Sequence, residues 1–165
     1  MHFFVDICQI QGIIYVYEGN IMLIGIDPVI SPELLDVLFR MGHGDEIVLA
    51  DAFFPGDSMN SRVIRADGIR IPALLNGILA LMNLDSYVPH PVAMMAPVPG
   101  DNLDESVEKS YRAVINRFWP ETPAIERVER FAFYERTKKA FAVVMTGETV
   151  KYGNIILKKG VIPLG

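Results

Sequence analysis

The sequence has very few of the residues that build metal and redox centres. Its 165 residues include one cysteine, Cys8, and three histidines. A single cysteine excludes an internal disulfide and a thiolate metal cluster, and no two histidines stand at the spacing of metal ligands. The sequence also has no nucleophile-elbow serine and no P-loop. We therefore expect neither a metal nor a cofactor.

Positive charge and long apolar runs are also scarce. The 15 Lys and Arg residues are outnumbered by 20 Asp and Glu residues, which gives a net charge of −5. Because no basic block is present, nucleic acid and anionic membrane are unfavourable partners. The sequence contains no continuous run of about 18 apolar residues, which is the length needed to span a membrane. Together with the single cysteine, these features indicate a protein of the reducing cytosol.

Apolar residues are nevertheless abundant for a chain of one-domain length. They make up 51% of the sequence, against a usual share of roughly 45–50%, and the mean hydropathy is +0.29. A large interface between subunits would bury this excess, because obligate interfaces resemble a core cut in half. We therefore expect a homo-oligomer.

Residues 1–21 are apolar and aromatic and contain no Lys or Arg. We do not expect a secretory signal, because such a signal has a basic start and a small-residue cleavage site, and Asp6 and Glu18 stand where neither belongs. The segment is either a β-hairpin extension turning at Glu18-Gly19-Asn20 or upstream sequence before a true start at Met22. We favour the second interpretation, with a single domain over residues 22–165.

Helix and strand signals alternate along this domain. Ser31-Pro32-Glu33 begins one helix, Pro72 opens a second that runs to about residue 84, and Asp104 caps a third. A short helix is expected at 133–139, and residues 52–61 are expected to form a loop. Strands are expected at 46–50, 63–65, 91–98, 126–130, 141–145 and 154–157. This alternation predicts a single Rossmann-like α/β/α domain of three layers with a mixed sheet.

The sharpest local feature is Gly42-His43-Gly44-Asp45. Two glycines free the backbone around His43, and histidine is the natural general acid and base near neutral pH. An ordinary solvent-exposed turn histidine is the alternative. The motif is not a dinucleotide fingerprint, because Ile47 stands where the third glycine is required.

Other polar residues could bind a ligand. Asp51 ends a predicted strand, where α/β sheets bind ligands, although it could simply cap the loop. The run from Arg130 to Arg136 includes Tyr134 and combines aromatic faces with charged groups, which is how proteins bind sugars; a capped helix with core phenylalanines is the alternative. Tyr152-Gly153-Asn154 offers a phenol and an amide, or only a turn. Arg65 and Asp67 favour a surface turn.

Six motifs in order resemble the L-fucose mutarotase family, the sister group of the D-ribose pyranases. The resemblance covers residues 22–163. Its motifs are Ile30-Ser31-Pro32-Glu33-Leu34-Leu35, Met41-Gly42-His43-Gly44-Asp45-Glu46-Ile47, Val63-Ile64-Arg65-Ala66-Asp67-Gly68, Leu84-Asp85-Ser86-Tyr87, the run Arg130 to Arg136, and Lys151-Tyr152-Gly153-Asn154-Ile155. The sequence Phe53-Phe54-Pro55-Gly56-Asp57 departs from the histidine-containing loop usual in the family.

The resemblance implies an isomerase that interconverts the two anomers of L-fucose. It implies that His43 is the catalytic acid and that the sugar is contacted by Asp51, Arg130, Tyr152, Gly153 and Asn154, and we add Tyr134 to this set. It also implies an oligomer, a ring-like decamer in bacterial members. The alternatives are a D-ribose pyranase-like enzyme, or a non-catalytic sugar-binding oligomer that assists transport or regulation.

The positions of His43 and Asp51 raise a geometric difficulty. Eight positions separate them, and a fully extended chain of that length spans roughly 26 Å. Either the turn containing His43 folds back towards Asp51, or His43 of one subunit meets Asp51 of its neighbour. The apolar excess favours the second arrangement.

Overall fold

A computed structural model of the chain describes residues 7–10, 13–16 and 23–162. The first two segments are β1 (Ile7–Ile10) and β2 (Ile13–Val16). They pair antiparallel with Ile10 opposite Ile13. The turn expected at Glu18-Gly19-Asn20 lies outside the described residues.

A six-stranded mixed sheet forms the centre of the protein. Its strands are β3 (Glu46–Ala50), β4 (Val63–Ala66), β5 (Val92–Met95), β6 (Glu126–Val128), β7 (Ala142–Thr146) and β8 (Ile155–Lys158), in the order β4-β7-β3-β8-β5-β6. β8 runs antiparallel to both of its neighbours, and the other pairs are parallel. Every residue of β5 and β7 is buried, as expected for strands covered on both faces.

Helices cover both faces of this sheet. They are α1 (Pro32–Arg40), α2 (Gly56–Met59), α3 (Ile71–Leu79), α4 (Glu105–Phe118) and α5 (Arg130–Lys139). Alternate residues of β3 point to opposite faces. Ile47 and Leu49 join the larger core with α1, α3 and α4, whereas Val48 and Ala50 join a smaller core that contains Phe133 of α5. The predicted three-layer arrangement is confirmed.

Local capping explains where the helices begin. The Ser31 hydroxyl accepts a hydrogen bond from Leu34 N–H at 3.1 Å, and the Asp104 carboxylate accepts one from Ser106 N–H at 2.9 Å. At α5 the cap is Glu129, whose carboxylate accepts from the N–H groups of Phe131 and Ala132. This cap ends β6 at Val128 and starts α5 three residues before the predicted position.

Other boundaries also differ from the prediction, among them β5, which ends at Met95 and not at 98. The interpretation of 52–61 as a continuous loop is wrong, because α2 forms one short helical turn there after Pro55. α3 ends at Leu79, five residues before the expected 84. None of the helices in the described residues combines the length and the apolar character needed to cross a membrane.

Candidate active site

A cleft of about 360 Å³ opens beside the carboxyl end of β3 and the start of β8. Its position is the usual ligand site of an open α/β sheet. Five of the predicted site residues line it: Asp51, Arg130, Tyr134, Tyr152 and Asn154. The other lining residues are Phe53, Phe54, Pro55, Met95, Val98, Asp101 and Lys151.

Asp51 and Asn154 form a reciprocal pair at the base of the cleft. Asp51 N–H donates to Asn154 Oδ1 at 2.8 Å, and Asn154 Nδ2 donates to Asp51 Oδ2 at 2.7 Å. They meet because β8 is antiparallel to β3, so its first residues lie beside the last residues of β3. The pair fixes the orientation of both side chains, which leaves the remaining oxygen lone pairs in a defined direction for hydrogen-bond donors of a ligand.

The Asp51 carboxyl is buried, with 8% of the residue exposed. This burial raises its pKa, although hydrogen bonds from Phe53 N–H, Asn154 and Phe54 N–H oppose the shift. The negative charge of the nearby Glu148 adds to the increase. The protein thus holds Asp51 in place with neutral donors and supplies no cation to it from the described residues.

Tyr152 stands on the other side of this pair, in the left-handed backbone region with a φ of 59°. Its hydroxyl donates to Asp101 Oδ2 at 2.7 Å, and Lys151 Nζ donates to the same oxygen at 2.6 Å. The hydrogen bond from Lys151, followed by that from Tyr152, lowers the pKa of Asp101 to about 2. The Tyr152 oxygen accepts a long hydrogen bond from Val98 N–H at 3.4 Å. With its proton directed at Asp101, it retains capacity to accept a further hydrogen bond from a ligand hydroxyl.

Gly153 is predicted to contact the sugar, but it is buried behind the cleft and does not line it. The Tyr111 hydroxyl, which comes from α4 on the opposite sheet face, donates to Gly153 O at 2.9 Å. Burial, followed by the charges of Glu148 and Asp51, raises the pKa of Tyr111. A Cβ at position 153 would lie 2.9 Å from Val150 O and 3.3 Å from the Tyr111 hydroxyl oxygen. Glycine therefore allows the loop to pass close to the core.

Arg130 and Tyr134 form the third wall of the cleft, on the first turns of α5. The Arg130 guanidinium lies 5.0 Å from the Phe131 ring centre and 5.8 Å from the Tyr134 ring centre, within the range of cation–π attraction. The Tyr134 ring packs edge-on against Phe54 at 5.6 Å. Within residues 23–162, Arg130 forms no ion pair, so its donors are available to a ligand.

His43 lies at the opposite end of β3 and does not line the cleft. Its turn is tied to the far end of β8, because Gly44 N–H donates to Lys159 O at 2.8 Å. The five residues of β3 alone separate His43 from Asp51 by roughly 16 Å. The turn that contains His43 therefore does not fold back towards Asp51. The first of the two arrangements, in which both residues of one subunit form the site, is wrong.

The surroundings of His43 are polar on one side and open on the other. His43 Nε2 lies 3.2 Å from Asp85 Oδ1, and 46% of the His43 side chain is exposed. The ring centre of Tyr87 is 5.7 Å away. Asp85 reaches this place because its N–H donates to Lys158 O at 3.0 Å, beside the bond that anchors the His43 turn.

Several residues considered from the sequence lie outside the cleft. Arg65 and Asp67 form an exposed ion pair at 2.7 Å, in agreement with a surface turn. Glu135 pairs with Lys138, and His90 Nδ1 lies 3.0 Å from Ala124 O. In the part of the chain that the structure describes, no cluster of three or more His, Cys, Asp or Glu side chains could hold a metal ion.

Sequence reasoning missed Asp101, Lys151 and the aromatic wall at Phe53 and Phe54. One signal could have found Asp101, since it lies in the loop that follows the carboxyl end of buried β5, whereas Asp51 directly follows β3. No comparable local signal identifies Asp85 as the partner of His43. Its contact with His43 joins residues 42 positions apart and depends on the strand order.

Comparison with known proteins shows where this architecture belongs. Residues 24–162 match the RbsD / FucU transport protein family. The chain belongs to this family. An L-fucose mutarotase of Actinobacillus pleuropneumoniae serotype 5b (strain L20) is 63% identical over 143 residues, which cover 87% of this chain and 99% of that protein. One from Glaesserella parasuis serovar 5 (strain SH0165) is 59% identical over 143 residues, 87% of this chain and 98% of that protein.

Solved structures of the RbsD / FucU family have the same fold. The fucose mutarotase of Streptococcus pneumoniae in complex with L-fucose superposes with a TM-score of 0.80 at 50% identity, covering 85% of this chain and 99% of that one. RbsD of Bacillus subtilis complexed with D-ribose gives a TM-score of 0.63 at 24% identity, over 89% of this chain and 99% of that one, a likeness of fold alone. The family expected from the sequence motifs is confirmed.

Proposed function

We propose that this member of the RbsD / FucU family is a mutarotase that interconverts the α and β anomers of L-fucose. The observation that carries the proposal is the cleft, in which the Asp51–Asn154 pair, Tyr152 and Arg130 offer oriented hydrogen-bond partners beside aromatic faces. Such a site suits a small polyhydroxylated ring. The 63% identity to a mutarotase named for L-fucose supports the choice of sugar.

The chemistry of mutarotation requires little from the protein. The pyranose ring opens to an aldehyde and closes again on its other face, while one proton leaves the anomeric hydroxyl and another reaches the ring oxygen. No electron is transferred to the protein and no covalent bond to it is needed. A positioned acid–base group accelerates such a step by roughly 10²–10⁴-fold. His43 supplies this group, and the cleft orients the sugar.

His43 acts on a sugar held in the cleft of a neighbouring subunit. Within one subunit the acid–base group and the cleft lie at opposite ends of β3. Each end also carries exposed aromatic side chains: Tyr87 lies beside His43, and Phe53 and Phe131 lie beside the cleft. Contact between two different surfaces of identical subunits repeats around a ring. We therefore infer a homo-oligomer, of which a decamer is one form.

Two further features follow the same proposal. The family match over 24–162 supports one mutarotase domain beginning at about residue 22, with residues 1–21 as an extension. The net charge of −5 and the single cysteine favour a cytosolic enzyme without nucleic-acid or membrane partners.

Saturation transfer between the α and β anomeric protons of L-fucose tests the activity directly. We expect wild-type protein to accelerate exchange and His43→Gln to abolish that acceleration while retaining fucose binding. His90→Gln is the matched control, because it removes another exposed loop imidazole that lies outside the cleft. This variant should catalyse anomer exchange at the wild-type rate. Retained activity in His43→Gln would remove His43 from the mechanism.

The same experiment separates the alternative functions. Exchange of D-ribose anomers without exchange of fucose would identify a pyranase-like enzyme. Binding of either sugar with no exchange would identify a sugar-binding oligomer without turnover.

A further inference from the structure

Glu148 is a buried carboxylate in the segment between β7 and β8, and it does not line the cleft. Only 5% of its side chain is exposed. Its Oε1 atom accepts hydrogen bonds from Arg70 Nη1 at 2.8 Å, from Thr149 N–H at 2.9 Å and from Val150 N–H at 3.2 Å. Two of these three donors open the turn that leads to Tyr152. Any effect of this carboxylate on a bound sugar therefore passes through the residues that line the cleft.

The turn that Glu148 supports holds Tyr152 in an unfavourable backbone conformation. The φ of Tyr152 is 59°, and a residue with a side chain persists in this region only where its surroundings fix it. The turn is closed around Tyr152, because Val150 O accepts a hydrogen bond from Gly153 N–H at 3.1 Å. Glu148 holds the first end of this turn through Val150 N–H, and the Tyr111 hydroxyl holds the other through Gly153 O. The two side chains thus supply the constraint that the conformation requires.

The backbone of Glu148 also supports the loop that follows β3. Its carbonyl oxygen accepts a hydrogen bond from Ala52 N–H at 2.8 Å, directly after Asp51. Its N–H donates to Thr146 Oγ1 at 3.1 Å, and the Thr146 hydroxyl donates to Ala50 O at 2.8 Å. These contacts lie on both sides of Asp51 along the chain. One residue therefore connects the two segments that carry the polar groups of the cleft.

A carboxylate at this position is electrostatically unfavourable. Burial, followed by the charge of Glu148, raises the pKa of Tyr111, and burial with a smaller contribution from Glu148 raises that of Asp51. The side chain of Arg70, which pairs with Glu148, is 58% exposed, so water weakens the ion pair. A buried charge costs free energy unless it is paired and hydrogen-bonded. What the carboxylate contributes is therefore the set of hydrogen bonds that it accepts.

We propose that Glu148 is a positioning residue of the cleft, whose carboxylate holds the turn that presents Tyr152 to the sugar. This inference rests on the proposed function, in which Tyr152 contacts L-fucose. The acceptor oxygen at the reach of a glutamate side chain carries the role, and the negative charge does not. A shorter side chain loses the hydrogen bonds from Thr149 and Val150, so the turn relaxes and the Tyr152 hydroxyl moves away from Asp101.

Two substitutions separate the reach of the side chain from its charge. Glu148→Asp keeps the charge and removes one methylene, whereas Glu148→Gln keeps the length and an acceptor oxygen and removes the charge. We expect Glu148→Asp to bind L-fucose about 3- to 10-fold more weakly, which corresponds to the loss of one hydrogen bond. Glu148→Gln should bind L-fucose like the wild type. Titration calorimetry on the full-length proteins measures both affinities, and the reverse order would overturn the inference.

Glu46→Asp is the matched control for Glu148→Asp. Glu46 is also a mostly buried carboxylate paired with an arginine, since 12% of its side chain is exposed and Arg136 Nη2 lies 2.8 Å away. It stands at the amino end of β3, away from the cleft. Glu46→Asp should lower the stability to urea, as Glu148→Asp does, and leave the affinity for L-fucose unchanged. An equal loss of affinity in the two variants would assign the effect of Glu148 to general stability and overturn the inference.

A crystal structure of Glu148→Asp gives a readout that does not depend on the sugar. In the wild type the Tyr152 hydroxyl lies 2.7 Å from Asp101 Oδ2. We expect the turn to be displaced in the variant and this hydrogen bond to be lost, while the six-stranded sheet is unchanged. A Tyr152 hydroxyl in its wild-type position would overturn the inference even if the affinity falls.

Saturation transfer on the same samples distinguishes failure of this inference from failure of the proposed function. If the wild type binds L-fucose without exchanging its anomers, the mutarotase proposal fails, and the order of affinities still decides the role of Glu148. If the wild type exchanges the anomers and Glu148→Asp keeps the wild-type affinity and the wild-type turn, only the role of Glu148 is wrong. If the wild type does not bind L-fucose, the proposed function fails and the inference fails with it.

Discussion

The two ends of β3 each contain a buried aspartate, and the protein treats the two carboxylates in opposite ways. Asp51 at the carboxyl end is held by neutral donors, and its burial raises its pKa. Asp85, beside the amino end, also resists ionisation through burial, but Tyr87 N–H, His43 and Lys158 lower its pKa. One end surrounds its carboxylate with neutral donors, and the other stabilises a charged carboxylate beside a histidine.

The two ends also differ in completeness. The cleft end has shape, aromatic walls and oriented hydrogen-bond partners, but among the described residues that line it there is no histidine. The other end has a half-exposed imidazole with a fixed partner. On the proposed function, binding and proton transfer are thus separated on one chain, and the proposed ring of subunits brings them together.

Mixed oligomers test this division with the largest expected effect. His43→Gln and Asp51→Asn should each be almost inactive alone, because each variant lacks a required residue in every active site of its oligomer. If the site is shared, subunits combined at random in equal amounts regain about one quarter of wild-type activity, since that share of contacts pairs an intact His43 with an intact cleft. Saturation transfer with L-fucose measures the recovery after the two variants are refolded together.

A mixture of His43→Gln with the double variant His43→Gln/Asp51→Asn is the control, and it should stay inactive. Failure of the first mixture to regain activity, while its oligomer forms normally, would mean that the sites do not combine residues from two subunits.

Local sequence pattern predicts some residues of the site but not the contacts between them. Asp51 could be found because the end of a buried strand is recognisable from local pattern, and the fold places ligands there. The meeting of Asp51 with Asn154 could not, because residues 103 positions apart pair only once β8 has been placed antiparallel beside β3. The sequence pattern and the family resemblance each mark Asn154 as a candidate, but neither predicts its pairing with Asp51.

Helix boundaries show the same limit at shorter range. The predicted caps Ser31 and Asp104 are confirmed, since each stands directly before a helical pattern. The start of α5 was missed because Glu129 was assigned to a strand, although its carboxylate caps the helix. Arg130 consequently lies on the first turn of a helix, where the fixed backbone aims it at the cleft.

Arg130→Met tests the binding end alone. The guanidinium has no carboxylate partner within residues 23–162 and lines the cleft, so we expect it to donate to sugar hydroxyls. Hydrogen bonds to charged groups contribute about 1.5–3 kcal/mol each, so its loss should weaken L-fucose binding by roughly 10- to 100-fold. Titration calorimetry on the His43→Gln background separates binding from turnover.

Arg65→Met is the matched control for Arg130→Met. It removes an arginine whose partners, Asp67 and Asp57, lie on the exposed surface, and it should leave fucose affinity unchanged. Equal affinities in the two variants would contradict the assignment of Arg130 to the sugar.

The opposite pKa shifts of Asp51 and Asp85 predict opposite pH dependences of stability. Since the pKa of Asp51 is raised from 3.8, its contribution to the free energy of unfolding is fully present below that pH and is lost as pH rises through the raised value. Since the pKa of Asp85 is lowered from 3.8, its contribution is fully present above that pH and is lost as pH falls through the lowered value.

Urea unfolding at fixed protein concentration, from about pH 3 to about pH 6, measures both contributions to the free energy of unfolding. The stability difference between wild type and Asp51→Asn should shrink with rising pH, and that between wild type and Asp85→Asn should grow. Two slopes of the same sign would mean that the ends of β3 do not differ electrostatically as the structure indicates.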